Sequence, residues 1–166
     1  MGNYLDQHQR SLAEPSEYWL EIANDVHWYK KPTQGVDTSS SPFNTWFADG
    51  EINACYNAID VHVVNGRGDQ VALIHDSPLT ESHKTFTYSQ LLDQISRFAG
   101  VLVSEGLVKG DRVMIYMPMI PEALVAILAC ARIGVVHTVV FGGFASKELA
   151  VRINDCSPKL IVTASC

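Results

Sequence analysis

Phe141-Gly142-Gly143-Phe144 is the stretch of this 166-residue chain whose residue types invite a ligand. It follows an apolar run read as a strand and precedes a polar-apolar segment read as a helix, with Ser146 at the expected N-cap. Adjacent glycines let a backbone approach a ligand closely. A helix N-terminus favours anions, and ligands of parallel sheets collect beyond the carboxyl ends of the strands. On the residues alone, a tight turn with no ligand fits the pair better than a site does. Other chemistry is thinly represented. His137 lies within an apolar strand and reads as a satisfied core histidine. His8, His27, His62, His75 and His83 are scattered, and no pair has the i, i+4 spacing of a zinc site. Cys55, Cys130, Cys156 and Cys166 show neither metal-ligand spacing nor a disulfide framework, so they read as buried or free thiols in a reducing compartment. No Gly-X-Ser-X-Gly and no Walker-type phosphate loop occurs, and Gly66 and Gly68 lack the third glycine of a dinucleotide fingerprint. Arg67-Gly68-Asp69 reads as a turn rather than an adhesion tripeptide.

The elements that must position the glycine pair come from residues 112–164. Residues 112–117 form a short apolar run, read as a buried strand. Pro121 suits the first helical position, where its missing N–H would be unpaired anyway. Ala123 to Ala131 is apolar without a break, too short to span a bilayer, which needs about 20 residues. Such a helix is buried, with a sheet on one side and another layer on the other. Gly134 stands where that helix needs a left-handed cap. Val135 to Phe141 and Lys159 to Ala164 read as two further buried strands. Strand, helix, strand, helix, strand at this spacing predicts a parallel sheet with helices on its faces.

Composition narrows the function classes. An apolar content of 47% fits a globular protein, and the net charge is −6 with no Lys/Arg cluster, so the footprint of nucleic-acid binding is missing. An anionic ligand would be held by local donors and a few cations. The first residues carry no apolar signal region and no Arg-rich import helix. Met1-Gly2 resembles a myristoylation start, but Asp6 occupies the place of the expected Ser or Thr. The expectation is a soluble intracellular protein without a membrane anchor.

Upstream, two helical segments are expected within residues 1–30, one opened by Pro15, with Tyr18, Trp19, Ile22 and Val26 on one helical face. Lys30 to Pro42 reads as a loop. Cys55, Ile59 and Val63 predict a helix that ends at Asn65-Gly66. Val71–His75 and Thr85–Tyr88 read as a hairpin joined by a long polar turn, Ser77 to Lys84. Thr87 and Gln90 have the spacing of a capping box. Leu91, Ile95, Phe98, Ala99 and Leu102 follow as an amphipathic face stopped by Gly106.

Three segments together, Tyr116-Met117-Pro118-Met119-Ile120-Pro121-Glu122-Ala123, Ala129-Cys130-Ala131-Arg132-Ile133-Gly134 and Val139-Val140-Phe141-Gly142-Gly143-Phe144, resemble the short-chain acyl-CoA synthetases of the adenylate-forming superfamily. Trp46-Phe47-Ala48-Asp49-Gly50-Glu51-Ile52-Asn53 and Cys55-Tyr56-Asn57-Ala58-Ile59-Asp60 are similar to that family's N-terminal extension, and the likeness runs from about Arg10 to Cys166. Arg10-Ser11-Leu12-Ala13, Cys55-Tyr56-Asn57-Ala58, Asp76-Ser77-Pro78 and Val162-Thr163-Ala164-Ser165-Cys166 resemble propionyl-CoA synthetases more than acetyl-CoA synthetases.

The resemblance implies an α/β fold: the parallel-sheet N-terminal part of the large domain of an adenylate-forming enzyme, preceded by a helical extension. Residues 1–70 would be the extension and 71–166 the start of the AMP-binding domain. It implies ATP, Mg²⁺ and CoA as cofactors, propionate or acetate as substrate, an acyl-adenylate formed first and an acyl-CoA second. It places Phe141, Gly142 and Gly143 on the wall of the CoA pantetheine tunnel, with no catalytic and no metal-binding residue in this segment. The family's phosphate loop and catalytic lysine would lie beyond Cys166, so the segment by itself is expected to be inactive. The cytoplasm is the expected compartment, with the mitochondrial matrix an alternative in a eukaryote. A non-enzymatic α/β binding domain and a flavodoxin-like or dinucleotide-binding domain stand as alternatives, the last weakened by the missing fingerprint.

Overall fold

The computed structural model describes residues 3–165, so the Met1-Gly2 start and Cys166 lie outside the described residues. Backbone packing divides the chain between Asn53 and Ala54. The first unit opens with helix α1 (Tyr4–Ala13), capped by the Asn3 side chain, which accepts from the Leu5 N–H. Pro15 begins α2 (Pro15–Ile22) at the first turn, as its fixed φ and absent N–H favour. A 3₁₀ turn, Ala23–Asp25, ends the helical run, so Val26 falls outside the helix whose face it was expected to extend. Trp19 instead meets Trp46 edge-on at 6.0 Å, and the Trp28 indole N–H donates to the Ala23 carbonyl at 2.7 Å. The stretch 30–42 is not all loop. It contains β1 (Val36–Asp37), which pairs antiparallel with β2 (Thr45–Trp46). Two residues leave no periodic signature, which is why the sequence shows only its Gly, Pro and Ser.

The second unit begins with a widened helix whose turns at Tyr56–Asp60 and Val63–Arg67 are π-helical. Cys55 and Ile59 are buried one turn apart. Gly66, at φ +77°, breaks the helix where only glycine is comfortable. Strands β3 (Val71–Ser77) and β4 (Ser82–Thr87) pair as an antiparallel hairpin with Ser77 opposite Ser82. The joining loop is therefore much shorter than the polar composition of 77–84 suggests, because polar residues on an exposed hairpin still make ladder bonds. Tyr88 belongs to the next helix, α3 (Tyr88–Ser104), and not to β4. The capping box is present in full: the Thr87 hydroxyl accepts from the Gln90 N–H at 3.3 Å, and the Gln90 amide oxygen accepts from the Thr87 N–H at 2.9 Å. Leu91, Ile95, Ala99 and Leu102 are buried from one face of α3, while Phe98 is partly buried beside them.

The parallel sheet has the order β6-β5-β7, built from β5 (Arg112–Met117), β6 (Val136–Phe141) and β7 (Leu160–Thr163). Helices α4 (Pro121–Ile133) and α5 (Ser146–Cys156) make the two connections. The fold is thus of the expected α/β class, with a helical N-terminal part followed by a parallel sheet. α4 contacts β5 and β6 on one side and α3 on the other, as its apolar circumference requires. Gly134, at φ +74°, caps it, and the Val135 N–H reaches back to the Cys130 carbonyl at 2.9 Å. One expectation fails. Among the described residues β5 alone is a buried strand, whereas β6 and β7 each pair only with β5 and keep Val136, Val139, Phe141 and Ile161 exposed. An apolar run does not distinguish a central strand from an edge strand.

The core gathers Val113, Ile115 and Met117 of β5, the buried face of α3, and Val125, Ala126, Ala129 and Cys130 of α4. A paired charge sits at its margin. Arg132 donates two hydrogen bonds to the Asp60 carboxylate at 2.8 and 2.9 Å and lies 3.8 Å from the Cys55 sulfur. The Asp60 carboxylate raises the guanidinium pKa further, and the fork ties α4 to the widened helix. Among the described residues no helix is long and apolar enough to cross a membrane.

Candidate functional site at the carboxyl edge of the sheet

Every strand of the parallel sheet ends on one edge, and the chain order reverses there. β5 leads to β6 on one side, and the chain then returns past β5 to reach β7 on the other. That reversal opens a crevice beyond the carboxyl ends of the strands, the usual ligand position in open parallel sheets. A cavity of about 290 Å³ occupies it, lined by Tyr116, Pro118, Gly142, Thr163, Ala164 and Ser165. Two further hollows lie in the first unit. One is bordered by Leu20, Ala23, Asn24, Trp28, Lys31 and Pro32, and the other by residues 13–17 with Val36 and Thr38. Neither stands at a convergence of strand ends, so the sheet edge is the better site.

The turn after β6 shapes the crevice. The Gly142 N–H donates to the Met117 carbonyl at 3.2 Å, and the Phe144 N–H to the Phe141 carbonyl at 3.1 Å. A Cβ on Gly142 would come within 3.0 Å of both the Met117 carbonyl carbon and the Pro118 nitrogen. Glycine suits that position by allowing close backbone approach rather than by an unusual φ. A Cβ on Gly143 would fall 2.5 Å from the Phe141 ring. The Tyr116 hydroxyl donates to the Phe144 carbonyl at 2.8 Å. The Phe144 ring is met edge-on by Phe141 at 6.3 Å and covered by the Arg152 guanidinium at 4.6 Å.

Of the three residues singled out from sequence, Gly142 lines the cavity, Gly143 packs on Phe141, and the Phe141 ring is largely exposed. Sequence reading did not find Tyr116, Pro118, Thr163, Ala164 or Ser165 as neighbours of the glycine pair. Strand register could have found them, since Tyr116 stands opposite both Val140 and Thr163. Ser146 is not the N-cap of α5. Ala145 holds the extended cap conformation, and its carbonyl accepts from the Glu148 and Leu149 N–H groups.

The cavity wall holds backbone, a proline ring, a methyl group and three hydroxyls, with no carboxylate, imidazole, amine or thiol. Such a wall can receive and orient a slender chain, but it offers no general base. The remaining candidates lie elsewhere. His137 is half-buried on β6 rather than a core histidine. The His62 ring meets Tyr88 at a tilt, 4.6 Å between centroids, and Arg67 is hydrogen-bonded to Gln70 at 2.7 Å within the turn that the tripeptide was read as. Burial raises the Cys55 thiol and pushes Cys130 up to about 11, so both stay protonated at neutral pH. Cys156 is also a free thiol. Among the described residues no group of three or more His, Cys, Asp or Glu could hold a metal ion.

Comparison with known proteins agrees with this architecture. Residues 61–166 match the model of the AMP-binding enzyme family, and residues 4–58 match the acetyl-coenzyme A synthetase N-terminus. The chain is 51% identical to the mitochondrial acyl-CoA synthetase short-chain family member 3 of Bos taurus, over 99% of this chain and 24% of that protein. It is 47% identical to the propionate–CoA ligase of Escherichia coli, over 98% of this chain and 26% of that protein. It is 46% identical to the acetyl-coenzyme A synthetase of Streptomyces coelicolor, over 96% of this chain and 24% of that protein. The chain thus spans about a quarter of the length of these curated relatives. With a family model covering most of its length and a sheet edge built as described, the chain belongs to the AMP-binding enzymes, and its relatives there are short-chain acyl-CoA synthetases.

Proposed function

We propose that this chain is the N-terminal portion of an ATP-dependent propionate–CoA ligase. The helical extension gives way to the start of the AMP-binding domain by residue 71. In this reading propionate is joined to AMP with loss of pyrophosphate, and the CoA thiol then displaces AMP. The crevice serves the second step, with Phe141, Gly142 and Gly143 forming the wall along the pantetheine arm. The supporting observation is the backbone approach at Gly142, where a Cβ would come within 3.0 Å of Met117 and Pro118. A wall made of backbone and hydroxyls orients a slender neutral arm and excludes water from it, without a carboxylate, imidazole or amine to compete for the thiol proton. Mg²⁺, when bound, neutralises phosphate charge in the first step. Among the described residues no group of three or more His, Cys, Asp or Glu stands ready to hold that ion. In this reading the segment alone is inactive.

Relatives named for propionate and for acetate both match. The wording of Cys55-Tyr56-Asn57-Ala58 and Asp76-Ser77-Pro78 favours propionate. The compartment follows the source: the cytoplasm, or the mitochondrial matrix in a eukaryote, which the Bos taurus relative's name supports. The first test is to sequence the reading frame past the Cys166 codon and purify the polypeptide it encodes. Propionate-dependent exchange of pyrophosphate into ATP, at higher kcat/KM than with acetate, is the expected result. A preference for acetate would overturn the substrate assignment. A stop codon directly after Cys166 would overturn the ligase reading and favour a non-enzymatic binding domain.

A further inference from the structure

The turn that forms the crevice wall hangs from the end of β5 by two fastenings. One is backbone, from the Gly142 N–H to the Met117 carbonyl at 3.2 Å. The other is a single side chain, from the Tyr116 hydroxyl to the Phe144 carbonyl at 2.8 Å. Parallel register fixes where that hydroxyl arrives, because Tyr116 stands between Val140 of β6 and Thr163 of β7. Beyond the turn, the Phe144 ring is held from α5 by Arg152, whose guanidinium also donates to the Glu148 carbonyl at 3.0 Å. The two glycines have no side chains of their own to pin this segment. Its geometry therefore depends on its neighbours, and Tyr116 is the neighbour that also lines the cavity.

We propose that Tyr116 is a positioning residue for the thioester-forming half of the reaction, acting by holding the Gly142–Phe144 backbone against the crevice through its hydroxyl. This rests on the ligase reading above. It assigns to Tyr116 no proton transfer and no part in adenylate formation.

The test is Tyr116→Phe in the complete polypeptide, which keeps the ring and removes the hydroxyl. Losing one hydrogen bond that orients the wall should raise KM for CoA by roughly fivefold to tenfold. The propionate-dependent pyrophosphate exchange should stay within about twofold, since adenylate formation does not use the crevice wall. Amide hydrogen exchange over residues 142–145 should accelerate while that of α3 does not. An unchanged KM for CoA, an equal loss in both half-reactions, or unchanged exchange at the turn would each overturn the assignment. Pyrophosphate exchange in both proteins with an unchanged KM would sink the assignment alone. No exchange in the unsubstituted protein would sink the ligase reading, and this assignment with it.

Discussion

The two crossovers of the parallel sheet share a plan and differ in construction. α4 is apolar around its circumference, starts at a proline, closes on a left-handed glycine and lies between the sheet and α3. α5 has no buried residue, starts without a side-chain cap and closes on Ser157 in the left-handed region at φ +44°. The first crossover builds the core, and the second carries the turn that shapes the crevice. The contrast shows how a sheet edge can hold a precise turn without a large core beneath it. α4 and β5 supply the rigidity, and the β6–α5 turn is fastened to β5 by a few directed contacts.

The largest expected difference separates the buried strand from the exposed helix. Ile115→Ala, in the fully buried centre of β5, should cost about 3 kcal/mol in urea unfolding followed by far-UV circular dichroism. Val151→Ala on α5, at an exposed position, should change stability by less than about 0.5 kcal/mol. Similar costs at the two sites would mean that α5 is packed more deeply than its exposure indicates.

The helix ends sharpen the comparison with a smaller effect of opposite sign. Gly134→Ala places a side chain at φ +74° and within 2.9 Å of a Lys109 methylene, and should destabilise by about 1–2 kcal/mol. Ser157→Gly relieves the left-handed residue that closes α5 and should stabilise by about 0.5 kcal/mol. Thermal unfolding midpoints of the two variants should therefore move in opposite directions.

The smallest effect concerns acid. Asp111 accepts from the Val108 N–H at 2.8 Å and pairs with Lys159 at 2.9 Å, and these hold its carboxyl below the usual range. A lowered folded pKa means that its contribution is present above the unfolded value, about 3.9, and is lost as pH falls through the lowered one. Asp111→Asn should thus be less stable than the parent at neutral pH. The gap should close as pH drops below about 4, measured as unfolding midpoint against pH.

Local signals in the sequence were enough for α3, with Thr87 and Gln90 at capping distance, and for α4, with Pro121 and Gly134 at its ends. They were enough for β5 as well. They could not rank β6 and β7 as edges, since the same valines and isoleucines serve either position. Nor could they show β1, which is two residues long, or choose Ala145 over Ser146 as the cap, because the choice rests on backbone dihedrals rather than on hydroxyl chemistry. At the site, the glycine pair was visible because two glycines between apolar aromatics are unusual. Tyr116 was not, because its bond to Phe144 spans 28 residues and exists only once the strands are in register.

The aromatic contacts of the first unit have a practical consequence. All three tryptophans, Trp19, Trp28 and Trp46, fall before Asn53, and the second unit has none. Intrinsic fluorescence is therefore an optical label for one unit only, already installed and selectively excitable near the red edge. Paired with circular dichroism, which weights the helices and sheet of the other unit, it resolves whether the two melt together or apart in an unmodified sample.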